Sequence, residues 1–160
     1  MTTIALRRMS ESEYSTYLSV AIPNYANEKM KGEGLTLEQA KKVATESFGN
    51  LLPDGLKTKN HFFFSVAHKG SEGAVGTVWF GKKEEKENSS SAFIYDLILN
   101  SELRGKGLGK QLMRLVEIEV RKLGLKSIGL HVFGHNTIAT RLYESSGFLT
   151  TNRIMKKDLI

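Results

Sequence analysis

The amino-acid sequence predicts an α/β fold, α+β by some schemes, in one domain spanning residues 1–160. Three observations carry that reading. Residues 61–68 and 74–80 are rich in aromatic and β-branched side chains, and the turn-forming run Lys69-Gly70-Ser71-Glu72-Gly73 lies between them, as in two antiparallel strands joined by a hairpin loop. Residues 92–99, Ala-Phe-Ile-Tyr-Asp-Leu-Ile-Leu, are almost wholly apolar, as a strand buried on both faces requires. They lead through a glycine-rich loop into an amphipathic helix and a second strand-like stretch at 127–133, a βαβ crossover. Two helix-opening signals precede all of these.

The first signal is Ser10 with Glu13, a capping-box pair in which the hydroxyl and the carboxylate each satisfy a backbone N–H left free at a helix start. The helix runs through Tyr14, Tyr17, Leu18 and Ala21 until Pro23, whose missing N–H breaks or kinks it. Thr36 with Gln39 opens a second helix over residues 37–52, closed by the turn chemistry of Leu52-Pro53-Asp54-Gly55. After the hairpin, residues 82–91 carry no apolar side chain and are read as a mobile loop. Leu108, Leu112, Leu115, Val116, Val120 and Leu123 recur at helical spacing, and Gly124 supplies the stop. Asn136 caps a short helix that Gly147 ends, Phe148 packs back onto it, and a last strand over 148–159 completes the chain.

A chain of 160 residues can bury a continuous core without a disulfide or a structural metal. It has no cysteine, which removes thiol nucleophiles, thiolate metal sites and disulfide scaffolds and fits a reducing compartment, taken here as the cytoplasm. Residues 1–8 lack the apolar run of a secretory leader, and no stretch approaches the roughly 20 apolar residues of a membrane span, so a soluble, untargeted protein is expected. The formal charge of +6 suggests a polyanionic partner: nucleic acid, a membrane surface or a phosphorylated cofactor. Arg104, Lys106, Lys110, Arg114, Arg121, Lys122 and Lys126 stand against only Glu117 and Glu119, so the excess gathers around the glycine-rich segment. A solvated helix face accounts equally well for the distal ones.

That segment is Arg104-Gly105-Lys106-Gly107-Leu108-Gly109, placed between the buried strand and the amphipathic helix. Glycines let backbone approach a ligand closely, and free N–H groups at a helix N-terminus attract phosphate oxygens. A dinucleotide fingerprint would need glycine where Lys110 stands, and a P-loop would need Ser or Thr where Gln111 stands. A strand-to-helix connection with no ligand is the structural alternative.

The hexapeptide is similar to the R/Q-x-x-G-x-G/A pyrophosphate motif of the GNAT acetyltransferases. A second block, from Val132 through Asn136, Ala139, Leu142 and Tyr143 to Gly147 and Phe148, resembles their downstream V-x-x-x-N-x-x-A-x-x-L-Y-x-x-x-G-F pattern. The resemblance is detailed over residues 92–148 and architectural before them. It implies a central mixed, mostly antiparallel twisted sheet with splayed central strands and flanking helices. It also implies an N-acetyltransferase that passes the acetyl group of acetyl-CoA directly to a primary amine through a tetrahedral intermediate. On this resemblance Arg104, Gly105, Lys106, Gly107, Leu108, Gly109 and Lys110 hold the CoA pyrophosphate. Leu97, Ile98 and Leu99 offer main-chain groups to the pantetheine arm and acetyl carbonyl, Asn136 contacts CoA, and Tyr143 is the general acid at the sulfur. Asn136 read alone is an N-cap, and Tyr143 read alone is a packing residue with a satisfied hydroxyl.

An amine acceptor arrives protonated at neutral pH and needs a proton acceptor. Asp96, a carboxylate in an apolar strand, and His131, an imidazole of the residue type suited to accepting a proton near neutral pH, are both candidates. Each also has a structural reading, as a hydrogen-bonding or packed strand residue. Position 93, where other members place a glutamate, is Phe93 here. His61, His68 and His135 show no ligand spacing, so no metal is expected. Phe62, Phe63, Phe64, Trp79 and Phe80 are read as core. The expected partners are a small-molecule or protein amine, with no nucleic acid or membrane, in a monomer or homodimer. The acceptor pocket is expected to draw on residues 11–52. The competing readings are an acyl-CoA-binding module without turnover and a basic nucleic-acid-binding domain.

Overall fold

The computed structural model describes residues 3–84 and 90–160. Both capping boxes form: the Ser10 hydroxyl accepts from the Glu13 N–H and the Thr36 hydroxyl from the Gln39 N–H, each with the reciprocal bond. They open α1 (Glu11–Glu33) and α2 (Leu37–Leu51). Pro23 does not end α1. The carbonyl that loses its donor there belongs to Ser19, and both residues are exposed, so water can replace the missing bond. Gly34 in the left-handed conformation closes the helix instead.

Five strands form one sheet in chain order: β1 (Ile4–Arg8), β2 (His61–His68), β3 (Ala74–Glu84), β4 (Ser90–Leu99) and β5 (Ile128–Leu130). The first four pair antiparallel, whereas β4 and β5 run parallel across the crossover helix α3 (Leu108–Lys122). A short helix, α4 (Thr137–Ser145), follows β5. Helices cover both faces, which explains why β2 and β3 read as nearly continuous apolar runs. Because side chains alternate across a strand, Phe63 and Trp79 join Met9, Tyr14, Tyr17 and Leu52 beneath α1 and α2. Phe64, Val78 and Phe80 instead join Leu112, Met113, Val116 and Val120 of α3 on the opposite face. The aromatic cluster is therefore core, with Phe62 half-buried below the Arg8 guanidinium.

Four segments depart from the sequence expectation. β1 was not anticipated, since a five-residue strand ending in Arg7 and Arg8 carries little apolar signal. It is held by pairing with β2 and by the Ile4 N–H donating to Gln111 Oε1 on α3 at 3.1 Å. The tract read as a loop at 82–91 is partly strand, because β3 continues to Glu84 and β4 begins at Ser90; the remainder, 85–89, lies outside the described residues. The strand expected at 127–133 pairs only over 128–130, and the one expected over 148–159 is absent. In that last segment the apolar residues fall in adjacent pairs, Ile154 with Met155 and Leu159 with Ile160, which point to opposite faces of an extended chain. β5 is also too short to template a neighbour, and these side chains stay exposed. Among the described residues no helix is long and apolar enough to cross a membrane.

One ion pair ties the start of α1 to the sheet. Arg7 grips Glu13 through both guanidinium nitrogens at 2.7 and 2.9 Å, while the Ser65 hydroxyl donates to the same carboxylate at 2.8 Å. The Arg7 bond is the main reason that the Glu13 carboxyl is held down at about 2. A depressed carboxyl stabilises the fold above its unfolded value and ceases to do so as pH falls through the folded one. Glu13→Gln should therefore lose about 1–2 kcal/mol at neutral pH. Thermal melts should show the gap to wild type closing as pH drops from the ordinary 4.5 toward about 2; a gap that persists unchanged at low pH would refute the ion-pair account.

Candidate active site

β4 and β5 pair over only three residues, Ala92↔Ile128, Phe93↔Gly129 and Ile94↔Leu130. Beyond Ile94, β4 continues to Leu99 bonded to β3 alone, and the sheet opens into a gap. The opening coincides with a bulge: Trp79 opposes Asp96 while Phe80 opposes Ile94, which leaves Tyr95 as the extra residue. Gly81 makes room for the bulged ring, since a Cβ there would come within 2.8 Å of Tyr95 Cε2, and Tyr95 stacks on Trp79 at 4.6 Å.

The backbone groups that face the gap follow from alternation along β4. Asn100 donates to the Val75 carbonyl at 2.9 Å, so its N–H faces β3; Ile98 shares that direction, and Leu97 and Leu99 face the gap. The Leu97 N–H is held by its neighbour's carboxylate, Asp96 Oδ1, at 3.1 Å. The Leu99 carbonyl accepts from Arg104 Nε at 3.1 Å, which straps the glycine-rich segment to the end of β4. The Leu99 N–H is left as the donor aimed into the opening.

Asp96 is the centre of the polar arrangement. The Tyr17 hydroxyl of α1 donates to Asp96 Oδ2 at 2.7 Å. Burial pushes the Asp96 carboxyl above the usual range, opposed by the Tyr17 and Leu97 bonds. Burial first, and then the facing carboxylate, push the Tyr17 hydroxyl far above its ordinary value. From α4 comes Tyr143, half-buried against Phe148 at 5.7 Å between ring centres. Its hydroxyl is also raised, mainly by burial and further by the charge of Asp96. Two residues 47 positions apart in sequence thus share one electrostatic environment.

In the glycine-rich segment the three glycines differ. Gly105 and Gly107 have φ of 73° and 75°, the left-handed region, and a Cβ on either would meet nothing within 4 Å. Gly109 faces α4, where a Cβ would lie 3.0 Å from Leu142 Cδ2. Gly107 is the N-cap of α3 and offers no side chain, so the first-turn N–H groups have no side-chain partner. Lys106 and Lys110 are exposed beside them, while the Leu108 side chain is buried in the core. Asn136 caps α4, its Oδ1 accepting from the Ala139 N–H at 3.2 Å. His131 lies past the end of β5, exposed and edge-on to Phe133, with no hydrogen bond to it among the described residues. Among those residues no three His, Asp or Glu side chains group as a metal site requires.

On the other side of β4 from that segment a cavity of about 990 Å³ opens between α1, α2 and the sheet. Glu13, Thr16, Tyr17, Val20, Asn24 and Glu28 recur at helical spacing, so a single face of α1 lines it. Tyr25, Phe48, Trp79 and Tyr95 form aromatic walls, and Asp96 lies at the sheet side. Tyr17 and Glu28 were not singled out by the sequence, because a tyrosine three residues after Tyr14 reads as an ordinary core stripe. The polar positions interleaved with it were the available signal.

The sequence profile of the Acetyltransferase (GNAT) family matches residues 13–148. The chain belongs to the GNAT acetyltransferase family. It is 36% identical over 157 residues to the uncharacterized N-acetyltransferase YycN of Bacillus subtilis, covering 98% of this chain and 99% of that one. To YdgE of the same organism, likewise an uncharacterized N-acetyltransferase, it is 29% identical over 154 residues, covering 96% and 97%. The crystal structure of YycN superposes with a TM-score of 0.85 over 99% of both chains. The structure of AAC(6')-Iy bound to the bisubstrate analog CoA-S-monomethyl-acetylneamine, at 16% identity, shares the fold with a TM-score of 0.61 over 99% of each chain. This GNAT chain is thus an N-acetyltransferase of a family that uses acetyl-CoA and acts on amines.

The Tyr17–Asp96 bond generates a direct test. The bond lowers the Asp96 pKa against burial, so Tyr17→Phe should raise it further. Carbon-detected NMR titration of the carboxyl should show the upward shift in a variant that keeps its fold, and a downward or null shift would remove Tyr17 from the network.

Proposed function

We propose that acetyl transfer occurs at the gap beside β4, directly from the acetyl-CoA thioester to an amine entering from the cavity under α1 and α2. The observation that carries this reading is the convergence of Asp96 and Tyr143 on one opening between the uncapped start of α3 and the acid-bearing cavity. A thioester is already activated, so orientation of the amine and stabilisation of the oxyanion supply most of what the reaction needs.

The residues fit a pyrophosphate. Gly105 and Gly107 leave open space where any side chain would intrude, and α3 presents unpartnered N–H groups with Arg104, Lys106 and Lys110 alongside. The Leu99 N–H, aimed into the gap, suits the acetyl carbonyl or the pantetheine arm, and the Asn136 amide group is left over from its capping bond for CoA. Asp96 attracts the ammonium and takes its proton, directly or through water; the upward push of burial on its carboxyl improves it as a base. Tyr143, kept protonated by its own raised pKa, donates to the departing sulfur as the tetrahedral intermediate collapses. No observation gives His131 a comparable place. A cytoplasmic enzyme, monomeric or homodimeric, completes the reading.

Gly107→Glu should abolish acetyl-CoA binding while leaving the fold intact, since a carboxylate would meet the pyrophosphate and the left-handed backbone disfavours a side chain. Calorimetric titration beside circular dichroism checks this; wild-type affinity in a folded variant would show that the loop does not hold the pyrophosphate. Tyr143→Phe should leave acetyl-CoA affinity almost unchanged and lower turnover about 10- to 1,000-fold. Steady-state kinetics with CoA-thiol release, run with a melting curve, separate this from a packing defect, which would lower Tm and spare turnover at low temperature.

A further inference from the structure

The sign of the charge around the cavity is one-sided. Among the described residues that line it are three carboxylates, Glu13, Glu28 and Asp96, and no lysine, arginine or histidine. Glu13 is occupied by Arg7, so Asp96 on the floor and Glu28 on the exposed face of α1 are the acids left to meet a ligand. Between them stand the aromatic faces of Tyr25, Phe48 and Trp79. Phe48 lies 5.9 Å from both Tyr25 and Trp79, so these rings form one continuous wall.

An amine whose α-carbon also bears a carboxylate would bring that anion next to Asp96 in a partly buried site with no lining cation to receive it. Two like charges about 4 Å apart in such surroundings repel strongly. Aromatic faces, by contrast, favour an apolar body or a second cation. We infer that the acceptor is a primary amine carried on an apolar, aromatic or second amine-bearing body, with no carboxylate or phosphate either beside the reacting nitrogen or on the remainder of that body. The inference rests on the acetyl-transfer reading and narrows its substrate class: the floor carboxylate engages the reacting ammonium, and the rings and Glu28 select the remainder.

Matched pairs test it: tyramine against tyrosine, and cadaverine against lysine, each with acetyl-CoA and the wild-type chain. The uncarboxylated member should show kcat/KM at least about 100-fold higher in both pairs. Equal or better use of tyrosine and lysine overturns the inference while leaving acetyl transfer intact. Should no amine be acetylated, the transfer reading fails separately, and calorimetry on the CoA-saturated chain still decides. Binding of tyramine or cadaverine with none of the carboxylated partner sustains the charge selection, whereas equal binding, or no binding of any of the four, overturns it. Glu28 is exposed on its helix, so Glu28→Lys should fold normally and shift the cadaverine-to-lysine ratio toward lysine by about 10-fold. An unmoved ratio in a folded variant overturns the part assigned to Glu28.

Discussion

The early end of the pairing between β4 and β5 is the constraint on which the rest of the molecule depends. Had the two strands stayed bonded to Leu99, the N–H and C=O groups of Leu97 and Leu99 would be spent on the sheet. The separation begins where the Tyr95 bulge bends β4 and turns the carboxylate of Asp96 toward α1. The core tolerates an open sheet here because α3 fills one face with Leu112, Met113, Val116 and Val120, while the Tyr14, Tyr17 and Trp79 cluster fills the other.

Two side-chain links pull α1 onto the sheet, and they differ in kind. Arg7 and Glu13 form an ion pair at the helix start, joined by the Ser65 hydroxyl, where the capping box already needs Glu13. Tyr17 and Asp96 form a hydroxyl-to-carboxyl hydrogen bond one turn further on, deeper in the protein, where burial raises both groups. The first fixes the position of the helix, and the second couples that position to the protonation of the carboxylate nearest the gap. One helix face therefore serves as cavity wall and as setting for Asp96.

Legibility in the sequence divided along physical lines. The βαβ unit, the hairpin and both N-terminal helices were readable because hydrophobic period, glycine position and capping pairs are local signals. Strand β1 was not, because its stability comes from pairing with residues some sixty positions away, which leaves little trace in IALRR. The strand expected over 148–159 shows the converse error: apolar content without a consistent face does not make a strand when no adequate edge receives it. At the site, Asp96 stood out as a carboxylate in an apolar strand and the glycine segment by its place between strand and helix, whereas Tyr143 was reached only through the family resemblance. Tyr17 did not, since a tyrosine on an amphipathic helix looks like packing until the fold brings Asp96 to its hydroxyl. The exclusion of cations from the cavity lining among the described residues is likewise assembled from five elements, α1, α2, β2, β3 and β4, and has no local signature.

The contact of Gly109 with Leu142 sets the spacing between the two halves of the site. α3 begins at the glycine segment and α4 carries Tyr143, and at this point they meet through a bare backbone and two methyl groups. An alanine at 109 could be absorbed by a small rotation of the leucine, but a larger side chain would wedge the helices apart and move the Tyr143 ring relative to the start of α3. Bulk gained at one of positions 109 and 142 must therefore be surrendered at the other if the two helices are to keep this separation.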